Sequence, residues 1–268
     1  MFPQVFVSAA VVASLAGAPA EAPSLPISVS ATLDQVQKPA GPPETPRHTG
    51  LKALFRGVAT DLRHLPSRQN LMWVGIGGGL ALAVHPLDDN LNRHLTGNDA
   101  ADAVFAPGKF IGQTYVLVGS SLTVYATGRL RDQPKVSHLG MDLLRSLLLS
   151  EIITQSLKYT TSRERPDHSN DHSFPSGHAA ETFTFATALE RHLGWKGAVP
   201  AYLTSSYVAM SRLHDNRHWL SDVVFGSAVG IIAGRTVTRH GRTQWDYTLV
   251  PTKGGGAMIL VSRHPASF

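Results

Sequence analysis

A succession of helix-like segments, with no alternating strand pattern between them, most constrains how this chain can fold. Apolar residues recur at helical spacing in the first segment, at Leu51, Leu54 and Val58, before Pro66 interrupts it. The segments that follow cover residues 71–85, 99–106, 112–131, 137–159, 179–193, 197–213 and 218–238. The sequence therefore predicts an all-α helical bundle.

The two ends of the chain differ from this helical domain, which we place at residues 51–240. Residues 1–20 are small and apolar and close on an Ala-x-Ala pattern, which predicts a signal peptide and a periplasmic or otherwise exported protein. Residues 21–50 are rich in proline and predict a flexible leader. Residues 241–268 hold two apolar stretches around a glycine run, the pattern of a short C-terminal β-hairpin followed by a tail.

Composition narrows the expected partners to anionic molecules. The net charge is +5 and the pI is near 9.6, which favours a phosphorylated small molecule or a lipid phosphate. The basic residues are scattered and form no nucleic-acid-binding motif, so we expect no nucleic-acid partner. Polar residues interrupt the helical segments and the mean hydropathy is −0.04. A soluble bundle is therefore favoured, with membrane association as the alternative.

Three basic residues in the second half of the chain suit the binding of a phosphate group. Lys158 and Arg165 stand seven residues apart, and Arg212 lies further along the chain. Guanidinium groups pair with phosphate oxygens through two parallel hydrogen bonds, and an ammonium group adds a point charge. Taken singly, each of these residues is better explained as a solvated charge at the end of a helix.

A turn of sequence Pro-Ser-Gly-His, residues 175–178, precedes one of the predicted helices. Ser176 stands near the N-cap position, where the first backbone N–H groups of a helix point towards a bound anion. Gly177 allows the backbone to approach phosphate oxygens closely. His178, in the first turn, is placed to donate a proton to a leaving oxygen.

A second histidine, His218, is followed four residues later by Asp222. On a helix this spacing puts both side chains on one face, so Asp222 can hydrogen-bond one ring nitrogen and leave the other free to attack. A metal site is the alternative, because His214 and His218 have the spacing of zinc ligands. The neighbouring Arg212 and Arg217 would repel a dication, so we predict no metal here.

Together these residues form an ordered set that resembles a known family. Lys-x6-Arg-Pro, Pro-Ser-Gly-His and Ser-Arg-x5-His-x3-Asp occur in this order between Lys158 and Asp222. The set is similar to the signature of the type 2 phosphatidic acid phosphatase superfamily, which includes bacterial class A acid phosphatases and vanadium haloperoxidases. Eleven specified positions match, so coincidence does not explain the resemblance. It implies a helical bundle of the acid phosphatase and haloperoxidase type.

The resemblance also implies a role for each residue of the set. His218 would be the nucleophile that forms a phosphohistidine, and Asp222 would orient it. His178 would protonate the leaving oxygen and then activate water. The phosphate would be held by Lys158, Arg165, Arg212, Ser176 and the backbone N–H of Gly177. Because phosphoryl transfer depends mainly on positioning and charge stabilisation, we expect neither a metal nor another cofactor.

The expected function is therefore a metal-independent phosphatase that hydrolyses phosphate monoesters. Three alternatives stay open on the sequence alone. The first is a membrane-bound lipid phosphatase or pyrophosphatase, and the second is a vanadate-dependent haloperoxidase, for which the chain is short. The third is an inactive module that binds phosphate or lipid.

Overall fold

A computed structural model of the chain describes residues 50–96, 99–241, 244–251 and 257–264. The predicted signal peptide and nearly all of the predicted leader lie outside the described residues. The chain divides into a helical unit of residues 45–239 and a second unit that contains the C-terminal strands.

Helices make up the larger unit, so the predicted all-α fold is confirmed. In chain order they are α1 (Leu51–His64), α2 (Arg68–Val84), α3 (Asp88–Leu95), α4 (Asp99–Ile111), α5 (Thr114–Leu130), α6 (Pro134–Thr161), α7 (Gly177–Leu193), α8 (Trp195–His214) and α9 (Leu220–Val237). Short 3₁₀ turns at His85–Leu87 and Thr238–Gly241 follow α2 and α9.

The second unit contains two strands, β1 (Gln244–Pro251) and β2 (Ala257–His264). They pair antiparallel, with Gln244 opposite His264 and Pro251 opposite Ala257. The strands therefore lie where the sequence predicts a hairpin.

Helix α3 forms where the sequence analysis predicts no helix. Asp88 and Asp89 stand in its first turn, and Arg93 and His94 stand in its last turn. Acidic groups at the start of a helix and basic groups at its end are favoured by the helix dipole. This helix is short and mostly polar, and Leu91 and Leu95 are its only apolar residues, too few to predict a helix from apolar spacing alone.

The core joins the ends of several helices. Leu149 of α6 packs with Ala233 and Val237 of α9. At the other end of α9, Val223 packs with Leu213 of α8 in a cluster that also includes the start of α7. These contacts set the C-terminal end of α8 beside the N-terminal ends of α7 and α9.

Helices α7 and α9 approach each other closely because α9 carries glycine at intervals of four residues. A Cβ atom at Gly226 would lie 2.6 Å from the carbonyl oxygen of Ser176, and one at Gly230 would collide with the carbonyl oxygen of Ala180. Only glycine permits such a contact between helix backbones. The approach fixes the position of Ser176, the residue from which α7 begins.

Within the described residues, two helical segments are long and apolar enough to cross a membrane, Arg68–Leu95 and Leu220–Val237, with mean hydropathies of 1.3 and 1.4. The second segment is 67% buried, as the core helix of a soluble protein would be, but the first is only 17% buried. Leu71 and Leu82 of α2 are 67% and 74% exposed. An exposed helix with apolar residues on several faces is unexpected in the soluble bundle that the sequence favours.

Candidate active site

Four helix ends meet at one end of the bundle and bring the predicted site residues together. The last turns of α6 and α8 carry Lys158 and Arg212, while the first turns of α7 and α9 carry His178 and Asp222. Gly177 is the first residue of α7, and the joining loops carry Arg165, Ser176 and His218. His178 interacts electrostatically with Arg212, His218, Lys158 and Arg165, so these residues form one site.

His218 lies in the loop before α9 rather than on the helix, because α9 begins at Leu220. Its side chain is buried, and its Nδ1 atom lies 2.7 Å from the carbonyl oxygen of Ser173. A carbonyl can only accept, so Nδ1 carries the proton and donates it to this oxygen. In this tautomer Nε2 has the free lone pair that a nucleophile needs.

Asp222 supports His218 indirectly, which corrects the direct hydrogen bond expected from their spacing. Its Oδ2 atom lies 3.8 Å from Nδ1 of His218, beyond hydrogen-bond distance. The same oxygen accepts a hydrogen bond from the Ser173 hydroxyl and another from the Trp219 N–H, at 2.9 Å. Asp222 therefore fixes the residue whose carbonyl holds His218 and the residue that follows His218.

Arg163, which the sequence analysis did not select, balances the charge of the buried Asp222. Its Nη1 atom lies 2.6 Å from Oδ1 of Asp222, and its Nη2 atom lies 2.8 Å from Oδ2 of Asp88. Ser221 donates to Asp88 from its N–H at 2.9 Å and from its hydroxyl at 2.6 Å. The one sequence signal for the role of Arg163 was its position inside the first motif. The contact of Asp88 with Ser221 joins residues 133 positions apart, so no local pattern predicts it.

Two of the predicted cations are buried beside the start of α7. Lys158 is 7% exposed and donates from Nζ to the carbonyl oxygen of His172 at 2.7 Å. Arg212 is 5% exposed, and its Nη1 atom lies 2.7 Å from Oδ2 of Asp215. A Cβ atom on Gly177 would lie 4.0 Å from Cε of Lys158, so the lysine side chain passes directly beside the glycine.

Several polar side-chain atoms of this site are buried without a hydrogen-bond partner among the described residues. They are Thr154 Oγ1, Arg165 Nε, Ser176 Oγ, His178 Nε2 and Arg212 Nε. One unsatisfied buried polar group costs about 1–3 kcal/mol, while a whole domain is stable by only about 5–15 kcal/mol. So many unpaired polar groups in one site indicate that they serve a ligand rather than the fold.

Ser176 is the N-cap residue of α7, as predicted, but its side chain makes no capping hydrogen bond. Its backbone N–H donates to the carbonyl oxygen of Asp222 at 3.0 Å. The Ser176 hydroxyl and the first N–H groups of the helix, among them that of Gly177, are therefore available to an anion.

Burial and nearby positive charge favour the neutral form of both histidines. The pKa of His178 is lowered to about 3, first by burial and then by the charge of Arg212 and its neighbours. The pKa of His218 is lowered to about 4, again chiefly by burial, although Asp222 acts in the opposite direction. A phosphate dianion bound beside the rings would raise both pKa values, because it stabilises the protonated forms.

His214 takes no part in this site. Its Nδ1 atom lies 2.7 Å from the carbonyl oxygen of Leu95, and its Nε2 atom lies 2.6 Å from Oδ1 of Asp102. Both ring nitrogens are thus engaged with α3 and α4. His214 and His218 therefore do not present two ring nitrogens to one metal ion. The spacing of the two histidines does not indicate a zinc site, because His214 serves to hold α3 and α4.

Comparison with known proteins places these motifs in a family. The model of the PAP2 superfamily matches residues 139–246, which include all three motifs. The lipid A 1-phosphatase of Porphyromonas gingivalis is 42% identical over 99 residues, or 36% of this chain and 22% of that protein. A PA-phosphatase related-family protein of Dictyostelium discoideum is 26% identical over 132 residues, or 39% of this chain and 49% of that protein. The matches thus span less than two thirds of either relative.

Two solved structures are similar to part of this chain. The crystal structure of LpxE from Aquifex aeolicus is 24% identical with a TM-score of 0.48, covering 57% of this chain and 95% of that chain. The first transmembrane PAP2 type phosphatidylglycerolphosphate phosphatase from Bacillus subtilis is 19% identical with a TM-score of 0.51, covering 70% of this chain and 94% of that chain. The family model that matches residues 139–246 is thus that of the superfamily which the three motifs of this chain resemble.

Proposed function

We propose that this protein hydrolyses phosphate monoesters of lipids through a phosphohistidine formed on His218. The observation that carries the proposal is the group of buried polar atoms without partners around the start of α7. Lys158, Arg165 and Arg212 supply three positive charges, all of which act on His178 at the start of α7. A phosphoryl group in its transition state presents three equatorial oxygens, and fixed cations stabilise the charge spread over them.

In the first step Nε2 of His218 attacks phosphorus, and the bond between phosphorus and the ester oxygen breaks. His178 donates a proton to this oxygen, so the product leaves as a neutral alcohol. The bound phosphate makes that proton available, because its negative charge raises the pKa of His178 from the low value of the free protein. The Ser173 carbonyl continues to accept the Nδ1 proton of His218.

In the second step His178, now neutral, takes a proton from water as the water oxygen attacks phosphorus. The bond between phosphorus and Nε2 of His218 breaks, and its electron pair returns to the ring. Inorganic phosphate leaves, and His178 is again protonated. Asp222 and Arg163 act as positioning residues, since they hold the segments on either side of His218 and touch no reacting atom.

The apolar outer surface of α2 favours a lipid substrate in a membrane over a soluble one. Side chains such as Leu80 and Leu82 are exposed along a helix that is long enough to span a bilayer. The glycine spacing of α9 is typical of helices that pack closely in membranes. The proposed catalytic groups lie at helix ends, where a spanning helix meets water and lipid head groups. The relative from P. gingivalis is itself named for a lipid substrate.

The test measures location and substrate preference together. The full chain and a chain without residues 1–20 are expressed, and membranes are washed with alkaline carbonate. Phosphate release is then followed from phosphatidate in vesicles and from p-nitrophenyl phosphate, with and without EDTA. We expect both chains to remain in the membrane, with a higher kcat/KM for the lipid and with activity that survives EDTA. Vanadate should inhibit, because it mimics the transition state.

Other outcomes of this assay support other functions. Release of the shortened chain into the wash together with a preference for p-nitrophenyl phosphate would identify an exported soluble phosphatase. Halide oxidation that depends on vanadate, without phosphate release, would identify a haloperoxidase. Loss of activity in EDTA would contradict the metal-independent chemistry. Phosphate binding without turnover would identify a binding module.

The burial of Lys158 predicts an alkaline limb in the pH profile. Burial, together with the nearby charge of Arg165, lowers the pKa of the Lys158 ammonium group to about 8. The cation is therefore present below this pH and lost above it, so kcat/KM should fall about tenfold per pH unit on the alkaline side. Lys158→Arg keeps its charge and should remove this limb in assays with p-nitrophenyl phosphate. An unchanged limb in Lys158→Arg would contradict the role of Lys158.

A further inference from the structure

A second group of polar side chains lies between the start of α6 and the end of α7. His138 and Asp142 stand one turn apart on α6, and His192 is the penultimate residue of α7. One potential ligand atom from each of the three lies within 4.8 Å of the other two. The carboxylate is fully buried and the two imidazoles are largely buried. This arrangement belongs to none of the motifs that define the phosphatase site.

The two oxygens of Asp142 have different neighbours. Oδ1 lies 3.2 Å from Nη1 of Arg145, which also pairs with Asp61. Oδ2 faces both imidazoles, at 2.9 Å from Nε2 of His192 and 3.8 Å from Nε2 of His138. Arg145 thus orients the carboxylate from one side and leaves the other oxygen directed at two nitrogen ligands.

The spacing of these atoms fits a small divalent cation. Around a tetrahedral Zn²⁺, with bonds of about 2.0–2.2 Å, neighbouring ligand atoms lie about 3.3 Å apart. The two distances from Oδ2 of Asp142, 2.9 and 3.8 Å, fall on either side of this value. The two ring nitrogens lie within 4.8 Å of each other, so shifts of at most about 1.5 Å would bring the three ligand atoms around one ion. Imidazole and carboxylate are ligands that first-row dications accept.

We propose that His138, Asp142 and His192 bind a first-row divalent cation, with Zn²⁺ as the best match and water as the fourth ligand. The site is separate from the phosphatase chemistry, because Asp142 and Lys158 are sixteen residues apart on α6, about 24 Å along the helix. A metal at this place joins the start of α6 to the end of α7. It stabilises the bundle and takes no part in phosphoryl transfer.

The experiment uses the purified full chain, stripped with a chelator and titrated with ZnCl₂ in a calorimeter. We expect one Zn²⁺ per chain and a rise in Tm of about 5–10 °C at a hundredfold excess over Kd. His138→Asn and His192→Asn should weaken binding at least about tenfold and abolish the rise in Tm. His168→Asn is the matched control, since His168 is an exposed histidine paired with Glu164, and it should bind like the parent.

Two further readouts keep the test independent of how well the variants fold. X-ray absorption at the zinc edge of the unmodified protein should show two imidazole ligands together with oxygen. Hydrolysis of p-nitrophenyl phosphate should be the same before and after stripping, at a temperature well below Tm. Absence of saturable binding, or binding that both ligand variants leave unchanged, would overturn the proposal. Loss of activity on stripping that returns with Zn²⁺ would also overturn it, because the ion would then act in catalysis.

Discussion

Replacing His218 by asparagine is expected to lower kcat for phosphate release about 10⁴–10⁶-fold, the range seen when a catalytic nucleophile is removed. The amide of asparagine can still donate to the Ser173 carbonyl, which holds Nδ1 of His218 at 2.7 Å in the native protein. The nucleophilic Nε2 atom, however, is lost. Inhibition by vanadate should change much less than kcat, because the cations that hold the anion remain.

The control for this substitution is His168→Asn, in the loop that also carries Arg165. His168 is exposed and pairs only with the exposed Glu164 among the ion pairs of the described residues. It should keep the parental kcat and KM. If His218→Asn retained more than about a hundredth of the parental kcat, in protein with an unchanged Tm, another group would have to be the nucleophile.

Replacing His178 by asparagine is expected to lower kcat on phosphatidate about 10²–10⁴-fold, the usual contribution of a general acid. The alkoxide of a lipid is a poor leaving group and needs the proton of His178. Nitrophenolate leaves readily without a proton, so the first step with p-nitrophenyl phosphate should be slowed far less.

The same substitution also removes the base that activates water. His178→Asn should therefore release one equivalent of nitrophenol per chain in a rapid burst and then turn over slowly. This burst separates the two proposed roles of His178, since it shows an intact first step before a slow second step. Equal losses on the lipid and on p-nitrophenyl phosphate, with no burst, would contradict both roles.

The sequence predicted which residues meet but not how His218 is held. Lys158, His178 and Arg212 are brought together because each stands at a helix end, and the motif spacings carry that information. The link from Asp222 to His218 passes through Ser173, which lies 45 residues before His218. No local spacing encodes this contact, because it arises when two loops fold against each other.

The sequence also did not predict that the apolar side chains of α2 are exposed. The apolar segment predicted for this helix, residues 71–85, is shorter than the roughly 20 residues of a spanning helix, which favoured a soluble bundle. The exposure of α2 is visible only in the folded structure, because an apolar helix in a core and an apolar helix in lipid have similar sequences.

The cluster of His138, Asp142 and His192 was also missed, because it too depends on how the helices pack. The first two are one turn apart, but His192 joins them only through the pairing of α6 with α7.

The most direct test of the proposed mechanism is to trap the phosphoenzyme with ³²P-labelled phosphatidate, quench it in alkali and locate the label by peptide mapping. A phosphohistidine survives alkali and is lost in acid. We expect label on the peptide that contains His218, more of it in His178→Asn, and none in His218→Asn. Label on another residue, or an active enzyme that never carries label in the parent or in His178→Asn, would contradict a phosphohistidine at His218.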